Sequence, residues 1–387
     1  MDKIIYMDHA ATTAMDKKVL DAMMPYLTTE YANAGTIYSI GRNASEACNI
    51  ARSQVANLLN ADPEEIYFTS GGTESDNWAI RGVCNANKSK GNHIITSAIE
   101  HHAVLETFKY MESLGFDVTI IPVDKNGFIN PKDIENSITD KTILVACMHA
   151  NNEIGTIQPI EKIGEICNKH NIHFHVDAVQ TTGHIEVDVK KIKCDSLALS
   201  GHKFYGPKGI GAMYLKKGSK CSRFMIGGGQ ENNRRAGTHN TAGIVGLGKA
   251  CELAKSNMTE EFKKTEFLRN MLIDGIKNNI PDCKLNGDRI IRLPNNVNFI
   301  FKGIEGESLI LFLDMSGVCA SSGSACTSGS LDPSHVLLAI GLKHEEAHGS
   351  LRLTLGKDNT EEDIKYVIEK LPGIVKRLRE MSPLYNN

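Results

Sequence analysis

The sequence predicts an α/β fold in which a mostly parallel sheet is flanked by helices and a smaller α+β unit follows. From about residue 45 to 250, short apolar runs alternate with amphipathic stretches, a pattern typical of parallel sheets covered on both faces. A long charged helix over 251–279 comes next. The chain after it has fewer predicted elements, and these include both strands and helices. We therefore predict a large domain over 13–255 and a small domain over 256–387, with segment 1–12 packed on the small domain.

Individual elements follow from apolar runs and their spacing. The candidate strands of the large sheet are EIYFTS (65–70), HIITSA (93–98), DVTIIPV (117–123), TILVACMH (142–149), IHFHVDA (172–178), SLALSG (196–201) and GAMYLK (211–216). Amphipathic helices are predicted before the first strand, for example over 44–60, and between most of the strands, for example over 101–115. In the small domain we predict strands at 295–301 and 349–355 and helices at 307–315 and 360–381.

Composition narrows the class of protein. The chain has 387 residues, of which 41% are hydrophobic and 23% charged, as expected of a soluble globular protein with two domains. A net charge of −3 gives no support for a nucleic-acid or membrane-surface role. Ten scattered cysteines without a CxxC pair fit a reducing compartment. Because we find neither a signal peptide nor an apolar stretch that could cross a bilayer, we expect a cytoplasmic protein.

The first candidate site is a glycine turn. EIYFTS runs into SGGTESDN, so that Gly71, Gly72 and Thr73 connect a strand to a helix. Amide groups at a helix N-terminus attract anions, and glycine lets a phosphate approach the backbone closely. The turn therefore indicates a phosphate site, although similar turns also serve as plain connectors.

Asp177 ends a buried strand. A buried carboxylate is costly unless it is paired, so we expect a cationic partner. In the same strand, His173 and His175 share one face and have the spacing of metal ligands. No clear third ligand accompanies them, so no metal is predicted.

Lys203 follows the next strand, in the stretch SLALSGHKFYGPKG. A lysine at an inward-facing strand end is a candidate for a lowered pKa and for bonding an aldehyde. An acid for a pyridinium nitrogen, a lysine for an aldehyde and a glycine turn for a phosphate together indicate a pyridoxal phosphate site.

Two further stretches carry alternatives. ASSGSACTSG (320–329) places Cys326 among small residues, where it could be a reactive thiol or a tolerated surface cysteine. GIVGLGKA (243–250) approaches the nucleotide-binding pattern GxxxxGK[ST], but Ala250 replaces the magnesium-binding hydroxyl and no clear strand precedes it. Close helix packing is the preferred interpretation of that stretch.

Taken together, the motifs resemble those of a known family. SGGTESDN, EHHAVL, HANNEIGT, HVDAVQ, SGHKFYGPKG, RRAGT and SSGSACTSG are similar to motifs of the NifS/IscS-like cysteine desulfurases, in the class V, fold-type I aminotransferases. The resemblance extends from residue 6 to 356. SSGSACTSGSLDPSH is similar to the long-loop group of that family, with the cysteine loop at about 321–333. Ala34, Tyr38 and Gly349 depart from the usual family pattern.

The resemblance implies a role for each matching residue. Lys203 would bond the cofactor covalently, and Cys326, Lys203 and His101 would be catalytic. Asn152 and Arg352 would bind the substrate carboxylate. The remaining cofactor contacts would come from Asp177, Gln180, Gly72, Thr73, Ser200, His202, His101 and, in the neighbouring subunit of a homodimer, Thr238.

The implied activity is the pyridoxal-phosphate-dependent conversion of L-cysteine to L-alanine. Sulfur would pass to Cys326 as a persulfide and then to an acceptor protein, either an iron–sulfur cluster scaffold or a tRNA-thiolation protein. A selenocysteine lyase is the nearest alternative. A non-catalytic sulfur carrier or scaffold is an alternative of another class.

Overall fold

The computed structural model describes residues 4–322, 333–383 and 385. Its strands are β1 Ile5–Tyr6, β2 Ile66–Thr69, β3 His93–Ser97, β4 Asp117–Ile121, β5 Thr142–Met148, β6 His173–Asp177, β7 Ser196–Ser200, β8 Gly211–Leu215, β9 Cys283–Leu285, β10 Asn296–Phe301, β11 Val318–Cys319 and β12 Ser350–Thr354. Its helices are α1 Lys17–Thr28, α2 Ser39–Leu59, α3 Gly72–Asn87, α4 His102–Ser113, α5 Pro131–Ser137, α6 Ile160–Lys169, α7 Val189–Ile192, α8 Gln230–Asn233, α9 Thr241–Asn279, α10 Gly306–Asp314, α11 His335–Ala339, α12 His344–His348 and α13 Glu361–Met381.

The large sheet contains seven strands in the order β2-β8-β7-β6-β5-β3-β4. All of them are parallel except β8, which runs antiparallel to β2 and β7. Every residue of β5, β7 and β8 is buried, as expected for strands covered by helices on both faces. The predicted α/β class is confirmed.

Successive side chains of the central strands enter two different cores. Val145 of β5 and Phe174 of β6 pack with residues of α2, α6 and α9 on one face. Leu144 and Ala146 pack with residues of α3 and α4 on the other. This alternation is the strand period of two, and it explains why the strands read as continuous apolar runs.

A second, three-stranded antiparallel sheet has the order β12-β10-β9. It shares a core with α10, α13 and the C-terminal half of α9. The N-terminal strand β1 pairs in parallel with β11, and Met7 is buried in this core. The proposed domain boundaries stay predictions, but α9 contributes residues to both cores.

Helix α9 differs from the prediction, because it begins at Thr241 and not near residue 251. The stretch GIVGLGKA therefore lies in its first turns. A Cβ atom at Gly248 would be 2.6 Å from the Cα of Ala51 in α2. Glycine at this position thus permits close packing of α9 on α2, which agrees with the preferred interpretation of the stretch. None of the helices in the described part of the chain is long and apolar enough to cross a membrane.

The substitution Gly248→Ala should lower the free energy of unfolding by about 1–3 kcal/mol, because the added methyl group overlaps the backbone of α2. The matched control is Gly373→Ala in α13, where the new Cβ would meet no atom within 4 Å. That variant should be unchanged or more stable by up to about 1 kcal/mol, because alanine favours the helix. Urea unfolding of both variants measures the difference, and equal effects would contradict the packing argument.

Candidate active site

The predicted site residues converge on one edge of the large sheet. Strands β2, β3, β5, β6 and β7 all end there, since they share one direction. In open α/β sheets, this carboxyl edge is where ligands bind. Asp177 is the last residue of β6, and Gly72, His101, Asn152 and Lys203 follow the ends of the other four strands.

Lys203 ends a one-turn 3₁₀ helix, Gly201–Lys203, directly after β7. Its Nζ donates hydrogen bonds to the carbonyl oxygens of Ala10 at 2.6 Å and Ala11 at 2.9 Å. The side-chain amide of Gln180 donates to the same Ala10 oxygen at 3.0 Å. The N-terminal segment therefore closes one side of the site and holds the amine of Lys203 in place.

Asp177 is the last residue of β6 and is 6% exposed. Its Oδ1 accepts a hydrogen bond of 2.9 Å from the backbone N–H of Val179. Burial raises the pKa of Asp177, while the Val179 hydrogen bond and the charge of Lys203 oppose that rise. Lys203 is thus the cationic partner that the sequence analysis expected for this buried acid.

Two more carboxyl groups lie close to Asp177, and sequence reasoning did not assign them. Burial and the charges of Asp177 and Glu100 raise the pKa of Asp76. Burial raises the pKa of Glu100 to about 8, and its Oε2 has no hydrogen-bond partner among the described residues. Buried carboxyl groups at close range do not all ionise together, so the charge settles where a cation faces it. Among the three, Asp177 is the carboxyl group for which a nearby cation, Lys203, opposes the rise in pKa.

A chain of hydrogen bonds leads from Asp76 along the sheet. Asp76 Oδ1 lies 3.0 Å from His175 Nε2, and His175 Nδ1 lies 2.9 Å from Ser196 Oγ. The same hydroxyl lies 2.8 Å from His173 Nε2. The two histidines that have the spacing of metal ligands are therefore both within hydrogen-bond distance of the Ser196 hydroxyl. No group of three or more metal-ligating side chains is found in the part of the chain that the structure describes.

His101 precedes α4 and caps its N-terminus. Its Nδ1 accepts a hydrogen bond of 3.1 Å from the backbone N–H of Ala103, so Nε2 carries the proton of the neutral ring. Burial, with the charges of Lys203 and His102, lowers the pKa of His101 to about 4. The ring is therefore neutral at pH 7 and can donate a proton only from Nε2.

Three of the predicted phosphate contacts, Gly72, Thr73 and Ser200, lie at or next to the start of α3. Gly72 begins this helix, and a Cβ there would be 2.5 Å from Cγ2 of Val179, so no larger residue fits. Thr73 is exposed in the first turn, and Ser200 is buried at the end of β7. His202 Nδ1 lies 3.1 Å from the hydroxyl of Thr12.

Arg352 lies in β12 and is 3% exposed. Its Nη2 donates to Asp8 Oδ1 at 2.9 Å, and its Nη1 donates to the backbone oxygen of Asn152 at 3.1 Å. The buried Nε has no hydrogen-bond partner within the described ranges. The structure thus brings Arg352 and Asn152 together, and it adds Asp8 as the ionic partner of Arg352, which was not predicted from the sequence.

Thr238 and Cys326 are two predicted site residues for which the described part of the chain shows no contact with the others. Thr238 is exposed, on a stretch that is anchored by the bidentate ion pair of Arg235 with Glu74 at 2.8 and 3.0 Å. Its predicted contact with a neighbouring subunit stays a prediction. Cys326 lies outside the described residues, as does most of the predicted loop around it.

The chain is similar to known proteins over almost its whole length. The model of the family described as "Aminotransferase class-V" matches residues 5–367. The chain is 59% identical to a cysteine desulfurase IscS of Clostridium botulinum, over 100% of this chain and 98% of the relative.

Two solved structures are similar in fold. A NifS-like protein superposes with a TM-score of 0.91 at 38% identity, over 97% of this chain and 100% of its own. A structure described as SspA in complex with cysteine has a TM-score of 0.81 at 38% identity, over 91% and 98% of the two chains. The chain therefore belongs to the class-V aminotransferases and, within them, to the cysteine desulfurases, which confirms the resemblance inferred from its motifs.

Proposed function

We propose that the protein is a pyridoxal-phosphate-dependent enzyme that converts L-cysteine to L-alanine and collects the sulfur on Cys326. The observation that supports this most strongly is the pairing of buried Asp177 with Lys203 at neighbouring strand ends. The buried guanidinium of Arg352 is held by Asp8, in the same N-terminal segment whose carbonyl groups bind Lys203. A structural neighbour was solved in complex with cysteine. The proposal extends that substrate to this chain.

The donor set fits the cofactor group by group. The Lys203 amine suits the aldehyde, and the buried carboxyl of Asp177 suits a protonated ring nitrogen. Gln180 offers an amide to the phenolic oxygen. Thr73, Ser200 and His202, with the amide groups at the start of α3, suit the phosphate. The first turn of a helix has amide groups without intrahelical partners, and these groups stabilise an anion such as the phosphate.

When bound, the cofactor supplies an aldehyde that condenses with amino groups and a ring that accepts electrons from the substrate Cα. The chain's own residues would hold and move the protons. Asp177 would keep a proton on the ring nitrogen, and Lys203 Nζ would take the Cα proton of cysteine. His101 lies beside them with its Nε2 proton available. Arg352 would orient the substrate carboxylate through its planar guanidinium. The buried Nε of that guanidinium has no hydrogen-bond partner among the described residues, so it is available to the carboxylate.

The sulfur step needs no outside oxidant or reductant. The thiolate of Cys326 forms a bond to the sulfur of cysteine while the bond between that sulfur and Cβ breaks. The carbon skeleton takes up protons and leaves as alanine. One cysteine and one enzyme thiol thus give one alanine and one persulfide.

The proposed partners follow from this reaction and from the resemblance. L-Cysteine is the substrate, and a sulfur-acceptor protein of iron–sulfur cluster assembly or tRNA thiolation removes the persulfide sulfur. A homodimer would bring Thr238 of each subunit to the other's phosphate. We infer a cytoplasmic location without a direct nucleic-acid or membrane partner.

The variant Lys203→Ala should still bind pyridoxal phosphate through ring and phosphate contacts, but without a covalent bond. Borohydride reduction, followed by mass spectrometry, should then label the wild-type protein at residue 203 and leave the variant unlabelled. Labelling of the variant at another lysine would contradict the assignment.

The variant Cys326→Ala should release alanine from L-cysteine at no more than about a hundredth of the wild-type rate, because no thiolate attacks the sulfur. It should retain some activity on selenocysteine, since a selenol leaves more easily. The matched control is Cys319→Ala, which removes a partly buried thiol of β11 and should keep most activity. Near-normal alanine release by Cys326→Ala would contradict the proposed nucleophile. Strong discrimination of the wild type against L-cysteine would favour the selenocysteine lyase.

A further inference from the structure

The chain on both sides of residues 323–332 is fastened to the candidate site. On the N-terminal side, Ser321 exchanges two backbone hydrogen bonds with Arg352, at 2.6 and 3.1 Å. On the C-terminal side, the two residues at the start of α11, Ser334 and His335, contact Glu153 and Glu100. Each contacted residue either is a predicted site residue or directly adjoins one.

Ser334 makes three hydrogen bonds with a single hydroxyl group. The hydroxyl donates to Glu153 Oε2 at 2.5 Å and accepts the backbone N–H groups of Val336 and Leu337 at 3.2 and 3.3 Å. The last two cap the N-terminus of α11. Ser334 is 4% exposed and Glu153 is 6% exposed, so water does not compete for the bond between them.

Glu153 belongs to a tightly fixed turn. The side chain of Asn151 accepts the N–H groups of Glu153 and Ile154 at 2.9 Å each and donates to the Ile99 oxygen at 2.9 Å. The backbone carbonyl of Glu153 accepts hydrogen bonds from the side-chain amide groups of Asn296 and Asn298 in β10, at 3.2 and 3.1 Å. The neighbouring carbonyl, that of Asn152, accepts Arg352. One turn therefore fixes both the guanidinium of Arg352 and the hydroxyl of Ser334.

A carboxyl group in this position needs an explanation. Burial raises the pKa of Glu153 to about 7, against the opposing effects of Ser334 and Arg352. A buried acid costs folding free energy, and an apolar residue would fill the same space at less cost. The acid is explained if the bond to Ser334 has a use in the reaction.

We propose that Glu153 and Ser334 form a positioning pair, which fixes the start of α11, eight residues after Cys326, against the turn that holds Arg352. The inference rests on the proposed function. Because Cys326 is eight residues before Ser334, the position of Ser334 limits where the thiol can reach. The hydrogen bond between Ser334 and Glu153 therefore helps to set the distance between the thiol and the substrate carboxylate that Arg352 would bind. The pair is proposed to act through position and not through contact with the reacting atoms.

Single-turnover formation of the Cys326 persulfide tests the pair. Glu153→Leu and Ser334→Ala should each slow that step about tenfold or more, because a small misplacement of a reacting group is costly. KM for L-cysteine and the absorbance spectrum of the bound cofactor should change less than twofold. Glu153→Gln keeps an oxygen that can accept the Ser334 hydroxyl, so it should stay within about threefold of the wild type.

The double variant Glu153→Leu with Ser334→Ala should be no slower than the slower single variant, because both remove one interaction. Asn130→Ala removes an N-cap from α5 without altering a predicted site residue, so it should react at the wild-type rate. Multiplicative rate losses, a raised KM for Ser334→Ala, or wild-type rates in both single variants would overturn the pair. A wild-type protein that forms no persulfide would refute the proposed function itself.

Discussion

The structure depends on one electrostatic constraint, which is that a carboxylate is kept charged at the end of a buried strand. Asp177 is 6% exposed and has two acidic neighbours, Asp76 and Glu100. Burial raises the pKa of Asp177, and the Val179 amide and the charge of Lys203 oppose that rise. Both partners are fixed by the backbone, since Lys203 ends the turn after β7 and Val179 lies two residues after the end of β6. The parallel pairing of β6 and β7 therefore places the acid and the amine at one edge.

The same edge is completed by residues from the two ends of the chain. The carbonyl groups of Ala10 and Ala11 hold Lys203 and Gln180 from one side. Asp8, two residues earlier, pairs with Arg352 from β12. Segment 8–11 thus contacts two groups of predicted site residues. Lys203 and Gln180 are predicted to bind the cofactor, and Arg352 is predicted to bind the substrate carboxylate. A substrate that bridges Lys203 and Arg352 would be held by groups whose spacing this short segment helps to set.

Sequence reasoning predicted the seven strands of the large sheet and the residues at their ends, because apolar runs and strand-end polar residues are local patterns. It placed the start of α9 ten residues late, since the glycine-rich first turns lack a strong amphipathic period and become helical through packing on α2. It also missed the roles of Asp8, Asp76, Glu100 and Glu153. Three of these acids have partners that are distant in sequence, so no local pattern indicates those contacts. The pairs are Asp8 with Arg352, Asp76 with His175 and Glu153 with Ser334.

If buried Asp177 carries a negative charge, it should keep the ring nitrogen of the bound cofactor protonated. The ¹⁵N NMR spectrum of the protein reconstituted with pyridoxal phosphate that is ¹⁵N-labelled in its ring measures this protonation. We expect a protonated ring nitrogen from about pH 7 to 9 in the wild type and loss of that proton in Asp177→Asn, which has the same shape without the charge. An unprotonated ring nitrogen in the wild type at about pH 7 would show that Asp177 does not have this role.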